Sequence, residues 1–206
     1  MRRKLSLIVV AVIAWRLCAD EIVLHPPANS PALNLPRLVS TSVVITGVAK
    51  GGNIKVTRVQ PPFAEVSITT NAGDDSKSIA IQLQNALRGK IGQGVIATDS
   101  KITLSNVSAG MLAVTCTDPG LVFPKPVTNV TGAADTSGVK LQWTKPDGVA
   151  SVRIWRGDIR LASTGDQQYV DNVGAVELSK SVVYTIVSFD LSGNPGGFVT
   201  VKYPSK

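Results

Sequence analysis

The 206-residue sequence predicts a mostly β protein, in which a small α+β module precedes a β-sandwich. Three observations support this fold class. The 18 Gly and 12 Pro, together with abundant Val, Ser and Thr, are typical of strands and tight turns. One stretch of the chain has the periodicity of an amphipathic helix. Residues 124–206 consist of short alternating strand-like runs separated by turn residues, the pattern of a β-sandwich.

The N-terminus has the organisation of a secretory signal peptide. Basic residues 2–4 precede an uncharged run, residues 5–15, which is too short to span a bilayer because a spanning helix needs about 20 apolar residues. We expect cleavage after Ala19 and a secreted protein, periplasmic or extracellular. The alternatives are a short uncleaved amphipathic anchor and a lipoprotein processed at Cys18.

The net charge of the chain reflects this export signal more than a binding surface. The formal net charge is +7, from 21 basic and 14 acidic residues. Residues 1–19 hold four basic and no acidic residues, so the mature chain carries 17 minus 14, or +3. Because the positive and negative charges of the mature chain nearly balance, we do not expect a surface that binds the phosphates of a nucleic acid. We therefore predict no nucleic-acid partner.

Residues 20–37 are a proline-rich leader that we expect to be extended, and residues 38–122 form the α+β module. Within the module, strand-like residues 43–45 and 54–57 flank Gly51-Gly52, which predicts a hairpin. Four further strands are predicted at residues 63–68, 95–97, 102–104 and 112–116.

One helix is predicted between the strand at residues 63–68 and the strand at residues 95–97. Asp75 or Ser76 can cap its N-terminus by accepting free backbone N–H groups. Apolar residues then recur on one helical face, and Gly89 is expected to end the helix. The residues of that face are Ile79, Leu83, Ala86 and Leu87.

This part of the chain resembles a repeat type of bacterial surface proteins and phage tail proteins. The resemblance rests on residues 69–74, which end in Ala-Gly-Asp, on the apolar helix, and on Gly-Val-Ile-Ala-Thr at 94–98 followed by Ile-Thr-Leu at 102–104. It implies a structural or adhesive unit.

Residues 123–206 form the second module, which begins with the stiff segment Pro124-Lys125-Pro126. Its strands are predicted at residues 127–130, 139–143, 152–156, 169–170, 184–189 and 198–201. The patterns Val-x-Leu-x-Trp at 139–143, Val-x-Ile-Trp-Arg at 152–156, Tyr-Val-Asp-Asn at 169–172 and the run from Tyr184 to Asn194 resemble a bacterial fibronectin type III domain, an immunoglobulin-like β-sandwich. The resemblance implies that Trp143, Ile154 and Tyr184 are core residues, and that the Tyr184 hydroxyl bonds to backbone.

A candidate ligand-binding group lies on the third strand of this module. If Val152 and Ile154 face inward, Arg153 and Trp155 face outward, with Arg156 and Arg160 nearby in sequence. An exposed Trp beside Arg can stack on sugars or pair with acidic groups. We favour the alternative that Trp155 covers the edge of the sheet or packs on the first module. The tripeptide Arg-Gly-Asp at 156–158 is interpreted as a turn.

The sequence offers no recognisable catalytic or cofactor site. The single His, His25, lies in the leader, and Cys116 is predicted to be a buried small hydrophobe with no neighbouring His. The carboxylates each have a turn, cap or solvent-facing explanation, and no spacing selects a pair or a metal site. We therefore predict no enzyme activity, no metal and no cofactor.

The predicted function is binding, adhesion or spacing by a secreted protein of a bacterial envelope or extracellular matrix. The expected partner is a polysaccharide or a protein. Two alternatives are open: a structural subunit of a filament or phage-like particle, in which strand edges of a homo-oligomer pair, and an enzyme with an unrecognised carboxylate site.

Overall fold

The computed structural model describes residues 41–59, 64–92, 94–105, 112–135, 138–172 and 181–204. The described residues all belong to one compact unit, Arg37–Lys206. The boundary between residues 122 and 123 therefore stays a prediction, and the first and second modules below are the predicted ranges 38–122 and 123–206. The predicted signal peptide and leader, with Cys18 and His25, lie outside the described residues.

The first module contains six strands and one helix in two three-stranded sheets. β1, β5 and β4 form one sheet in that order, and β3, β2 and β6 form the other, with all neighbours antiparallel. The elements are β1 (Thr41–Val44), β2 (Gly52–Arg58), β3 (Ala64–Thr70), α1 (Ser76–Ile91), β4 (Val95–Thr98), β5 (Lys101–Leu104) and β6 (Leu112–Cys116).

The predicted hairpin at Gly51-Gly52 is wrong, because β1 and β2 belong to different sheets. These glycines instead allow the backbone to approach a buried carboxylate. A Cβ at Gly52 would lie 2.6 Å from the Cα of Asp118. The Asp118 carboxylate accepts the backbone N–H groups of Lys50, at 2.9 Å, and Gly51, at 3.0 Å, together with the hydroxyl of Thr70. The glycine pair therefore serves a close contact and not a two-residue turn.

The helix forms as its sequence pattern predicts, but it ends later than expected. Asp75 is the N-cap, and its carboxylate accepts the N–H of Ser78 at 2.7 Å. Ile79, Leu83 and Leu87 are buried against both sheets of the module, with Ala86 partly buried beside them. The helix passes through exposed Gly89 and ends before Gly92, whose φ of 91° suits a residue without Cβ.

The second module is a β-sandwich of the predicted immunoglobulin-like class. A three-stranded sheet in the order β11-β8-β7 faces a four-stranded sheet in the order β10-β9-β12-β13. The core between them contains Trp143, Ile154 and Tyr184, as expected. The strands are β7 (Thr128–Asp135), β8 (Gly138–Thr144), β9 (Ser151–Arg156), β10 (Ile159–Thr164), β11 (Gln168–Asp171), β12 (Val182–Phe189) and β13 (Pro195–Tyr203).

The four-stranded sheet is covered on its outer face as well. Residues of β9 and β12 join Val59 and Ala113 of the first module in a separate apolar cluster. The side chains of this cluster that come from the sandwich are Trp155, Val187 and Phe189, with Phe198 partly buried beside them. As a result β12 has buried residues on both faces, from Tyr184 to Phe189. The two modules therefore share an apolar interface.

One side chain makes polar contacts between the modules, and a backbone hydrogen bond fixes the junction segment on the sandwich. Asn194 accepts the N–H of Val44 and donates to its carbonyl, both at 2.8 Å, so one side-chain amide pairs with the backbone of β1 like a neighbouring strand. At the junction segment, Gly197 N–H donates to the Pro124 carbonyl at 2.9 Å. The prolines of the junction thus pack on β13.

Candidate functional site

The strand registers assign each predicted binding residue to one face of the four-stranded sheet. Cross-strand partners in a sheet point to the same side. Ile154 is opposite Ile186, and both are buried in the sandwich core. Arg153 is opposite Val187, and Trp155 is opposite Thr185, so these two point to the outer face, as predicted.

Trp155 is on the outer face but it is not exposed. Its exposed fraction is 2%, because Val59 and Ala113 of the first module pack on it. The expectation of a solvent-facing aromatic ring is therefore wrong, and the favoured alternative, packing on the first module, is the arrangement found. In this structure Trp155 holds the modules together and is not available to stack on a ligand.

Arg156 points away from Arg153, into the other side of the sheet. It is opposite Tyr184, and its Nη1 lies 3.2 Å from Oδ2 of Asp171, which belongs to the three-stranded sheet. The Tyr184 hydroxyl donates to the same oxygen at 2.8 Å, so its hydroxyl bonds to a carboxylate where backbone was expected. Burial is the main cause that raises the pKa of Tyr184, and the hydrogen bond to the Asp171 carboxylate raises it further. This cluster joins the two sheets.

Arg153 and Arg160 remain on the outer face. The guanidinium of half-buried Arg153 lies over the ring of Phe189, 4.1 Å from its centroid. Arg160 on β10 is exposed and is opposite Trp155. Burial is the main cause that lowers the pKa of Arg153, and the positive charge of Arg160 lowers it further. Among the described residues, the ion pairs are Lys55–Glu65 and Arg156–Asp171, and neither includes these two arginines.

The turn between β9 and β10 and a β-bulge after it determine which side chains of β10 share the face of Arg160. The pairing of β10 with β9 shifts between Arg160 and Ala162, so that Ala162 is opposite core residue Ile154 while Arg160 is opposite Trp155. The Arg156–Ile159 pair beside the turn sets Arg160 opposite Trp155, and the bulge that follows brings Ser163, three residues later, to the same face. Bulges that redirect a side chain are frequent near functional sites. The tight turn before β10 is the predicted one, with Gly157 at a φ of 57°.

The sequence pattern missed three residues that shape this site, Asp171, Ser163 and Phe189. Asp171 directly follows the predicted strand at 169–170, and nothing in that pattern indicates that its carboxylate faces the partly buried Arg156. Ser163, opposite Arg153, belongs to β10, a strand that was not predicted because its bulge breaks the alternation. A signal for Phe189 was present: the run at 182–189 is almost entirely apolar, which is typical of a strand buried on both faces.

The other buried carboxylate of the described chain supports a turn. Asp118 accepts from Thr70 and from the backbone N–H groups of Lys50, Gly51 and Gly120. Although burial alone would raise it, these hydrogen bonds lower the pKa of Asp118 to about 2. The carboxylate is thus ionised and occupied by the fold. Nearby Cys116 is half-buried, and burial raises the pKa of its thiol, as expected for an unreactive cysteine.

A cleft of about 640 Å³ opens beside the shared apolar cluster. Its walls come from both modules and include Val59, Val183 and Phe198, with Asp158 at the β9–β10 turn. In the described part of the chain, no group of three or more His, Cys, Asp or Glu residues is placed to hold a metal ion. The helix of the described residues, α1, is not long and apolar enough to cross a membrane.

No protein-family model matches the sequence, and no curated protein matches it. Among solved structures, the chain is similar to an FN3 domain, the "FN3tt mut" structure, with 18% identity and a TM-score of 0.34, over 39% of this chain and 94% of that one. It is also similar to the CD2-binding domain of CD58, with 7% identity and a TM-score of 0.29, over 81% of this chain and 92% of that one.

A third similar structure is the spore cortex lytic enzyme SleM of Clostridium perfringens, with 13% identity and a TM-score of 0.33, over 52% of this chain and 33% of that enzyme. Likenesses at these TM-scores carry no conclusion about function. The fold assignment rests on the strands, registers and cores described above.

Proposed function

We propose that the mature chain is a secreted, non-catalytic binding and spacing protein of a bacterial envelope or extracellular assembly, whose two modules act as one rigid piece. The observation that supports the proposal is the interface between the modules. The outer face of the sandwich sheet, which would be free in an isolated domain, is buried by Val59 and Ala113 around Trp155. A fixed angle between modules suits a protein that holds a partner at a set distance.

The use of the buried carboxylates supports the non-catalytic part of the proposal. Asp118 is occupied by a hydroxyl and three backbone N–H groups, and Asp171 by Arg156 and Tyr184. A carboxylate that works as a general acid or base must be free to exchange its proton with a substrate. In these two residues the oxygens are committed to the fold.

Rigidity can be measured as a distance distribution between two spin labels, one in each module. Exposed Asn85 on α1 and Thr131 on β7 are suitable labelling sites in a mature protein with Cys116 replaced by Ala. We expect a narrow distribution that broadens in Trp155→Ala/Asn194→Ala. Asp166→Ala, an exposed change within the sandwich, is the control and should leave the distribution narrow. A broad distribution without the interface substitutions would contradict the spacer proposal.

Export is tested separately by N-terminal sequencing of the protein recovered from its producing cells. Cleavage of the predicted signal leaves Asp20 as the first residue. An intact N-terminus in the cytoplasm would refute secretion.

A further inference from the structure

The outer face of the sandwich carries two arginines that form no ion pair with a carboxylate of the described residues. Arg153 on β9 and Arg160 on β10 both point to this face, because one is opposite Val187 and the other opposite Trp155. Their near neighbour Arg156, in contrast, has Asp171 as a partner on the inner side. Asp171 thus neutralises the partly buried Arg156, whereas a positive pair remains on the outer face at the edge of the module interface.

The two arginines are close enough to hold one anionic group. Arg153 is opposite Ser163 and Arg160 is opposite Trp155, so the arginines are diagonal neighbours across two adjacent strands. Diagonal Cβ atoms of such strands lie about 7–8 Å apart, well within the reach of two arginine side chains. The bulge between Arg160 and Ala162 brings Ser163 to the same face as Arg160, although the two residues are three positions apart.

One member of the pair is held in place before any ligand arrives. The Arg153 guanidinium lies on the Phe189 ring, and Phe189 is itself 2% exposed in the shared apolar cluster. A guanidinium fixed in this way loses less conformational freedom on binding and keeps its planar set of donors for a carboxylate. Ser163, exposed and opposite Arg153, adds a hydroxyl to the same surface.

We propose that Arg153, Arg160 and Ser163 form a binding site for a carboxylate-bearing polysaccharide, such as a chain of uronic acid units. This proposal rests on the proposed binding function and names its ligand class. The arginines pair with a carboxylate of one sugar, and the Ser163 hydroxyl bonds to a hydroxyl of the sugar chain. Two arginines suit a polymer with one charge per sugar, whereas a nucleic acid requires a longer row of cations along its phosphates.

The test is binding of the mature protein to polygalacturonate at low salt, measured by titration calorimetry. We expect binding that Arg160→Gln weakens about tenfold or more, the effect of losing a hydrogen bond to a charged group. Arg153→Lys keeps the charge but loses the planar donors, and it should also weaken binding. Lys202→Gln is the matched control, because Lys202 is exposed on the same face of the sheet but on its other edge strand, β13.

Each other outcome overturns the proposal in a different way. Equal weakening by Lys202→Gln would mean that only net charge matters. Equal affinity for fully methyl-esterified polygalacturonate would exclude recognition of the carboxylate. Tighter binding to polyglutamate or to single-stranded DNA would assign the pair to an acidic protein or a nucleic acid, and no binding to polygalacturonate would refute the site. The spin-label distances test the rigid spacer independently of all these results.

Discussion

The two faces of the sheet formed by β9, β10, β12 and β13 treat positive charge in opposite ways. On the inner face, Arg156 is neutralised by Asp171, which also accepts the Tyr184 hydroxyl. On the outer face, Arg153 rests on an aromatic ring beside a second arginine. The inner cluster joins two sheets, whereas on the outer face Arg153 packs only on the Phe189 ring and Arg160 is exposed. By this difference Arg156 is a structural residue, whereas Arg153, three residues earlier, is a candidate for ligand binding.

The largest effect is expected for Asp171→Ala. The substitution leaves Arg156 without its carboxylate and removes the acceptor of the buried Tyr184 hydroxyl. Removing one partner of a buried ion pair costs about 3–5 kcal/mol in the free energy of unfolding. Because Arg156 is only partly buried, we expect the lower end of that range, about 3 kcal/mol. Urea unfolding measures the change, with Asp166→Ala as an exposed control. A loss below about 1 kcal/mol, the usual value of a surface ion pair, would show that the inner cluster stabilises the fold no more than exposed charges do.

A comparable loss is expected for Trp155→Ala, if the outer face is a second core. Large-to-small changes of buried aromatics cost about 3–5 kcal/mol. Trp143→Ala, which truncates the inner core, is the direct comparison, because the exposed fractions of the two rings are 4% for Trp143 and 2% for Trp155. Chemical denaturation of both variants decides the matter. If Trp155→Ala unfolds at the same urea concentration as the unmodified protein, the interface adds nothing to the fold.

A smaller effect is expected for Asn194→Ala, which removes both hydrogen bonds to the Val44 backbone. Each such bond contributes about 0.5–1.5 kcal/mol, so the loss should be about 1–3 kcal/mol. Hydrogen exchange of the Val44 amide should quicken more than that of amides in the sandwich core. Asn194→Asp keeps an oxygen that accepts the Val44 N–H but loses the donor to the Val44 carbonyl. Its free energy of unfolding should therefore lie between those of the unmodified protein and Asn194→Ala. Unchanged exchange at Val44 would show that the modules do not depend on this contact.

The smallest effect is expected for Arg160→Gln. The side chain is exposed, so the free energy of unfolding should change by no more than about 0.5 kcal/mol, in either direction. The same substitution is expected to weaken binding of the acidic polysaccharide. Thermal unfolding and the binding titration, on one preparation, therefore separate the roles of the two faces. A large loss of stability would mean that Arg160 has a structural role after all.

Local patterns in the sequence predicted most of the individual elements. The Asp75 cap, the helical face from Ile79 to Leu87, and the core positions of Trp143 and Ile154 depend on near neighbours along the chain, and the structure confirms them. The Gly51-Gly52 hairpin failed because the reason for those glycines, Asp118, lies more than sixty residues away.

The candidate site was predicted only in part, for the same reason. Alternation placed Arg153 and Trp155 on the outer face, but it holds no information about what covers that face. The burial of Trp155 depends on Val59 and Ala113 of the other module, and a bulge brings Ser163 to the face of Arg160. Asp171, the partner of Arg156, comes from the opposite sheet. Pairings of this kind form only in the folded chain.

The amide of Asn194 also has a consequence for the order of synthesis. Its partner, Val44, is on β1, and the two residues are 150 positions apart. A ribosome completes the first module long before it reaches Asn194, so the edge of β1 lacks this side-chain cover while the sandwich is being made. Open strand edges pair readily with other chains. Nascent chains and fragments that stop before the sandwich are therefore the forms most exposed to aggregation, and completion of the C-terminal module protects the N-terminal one.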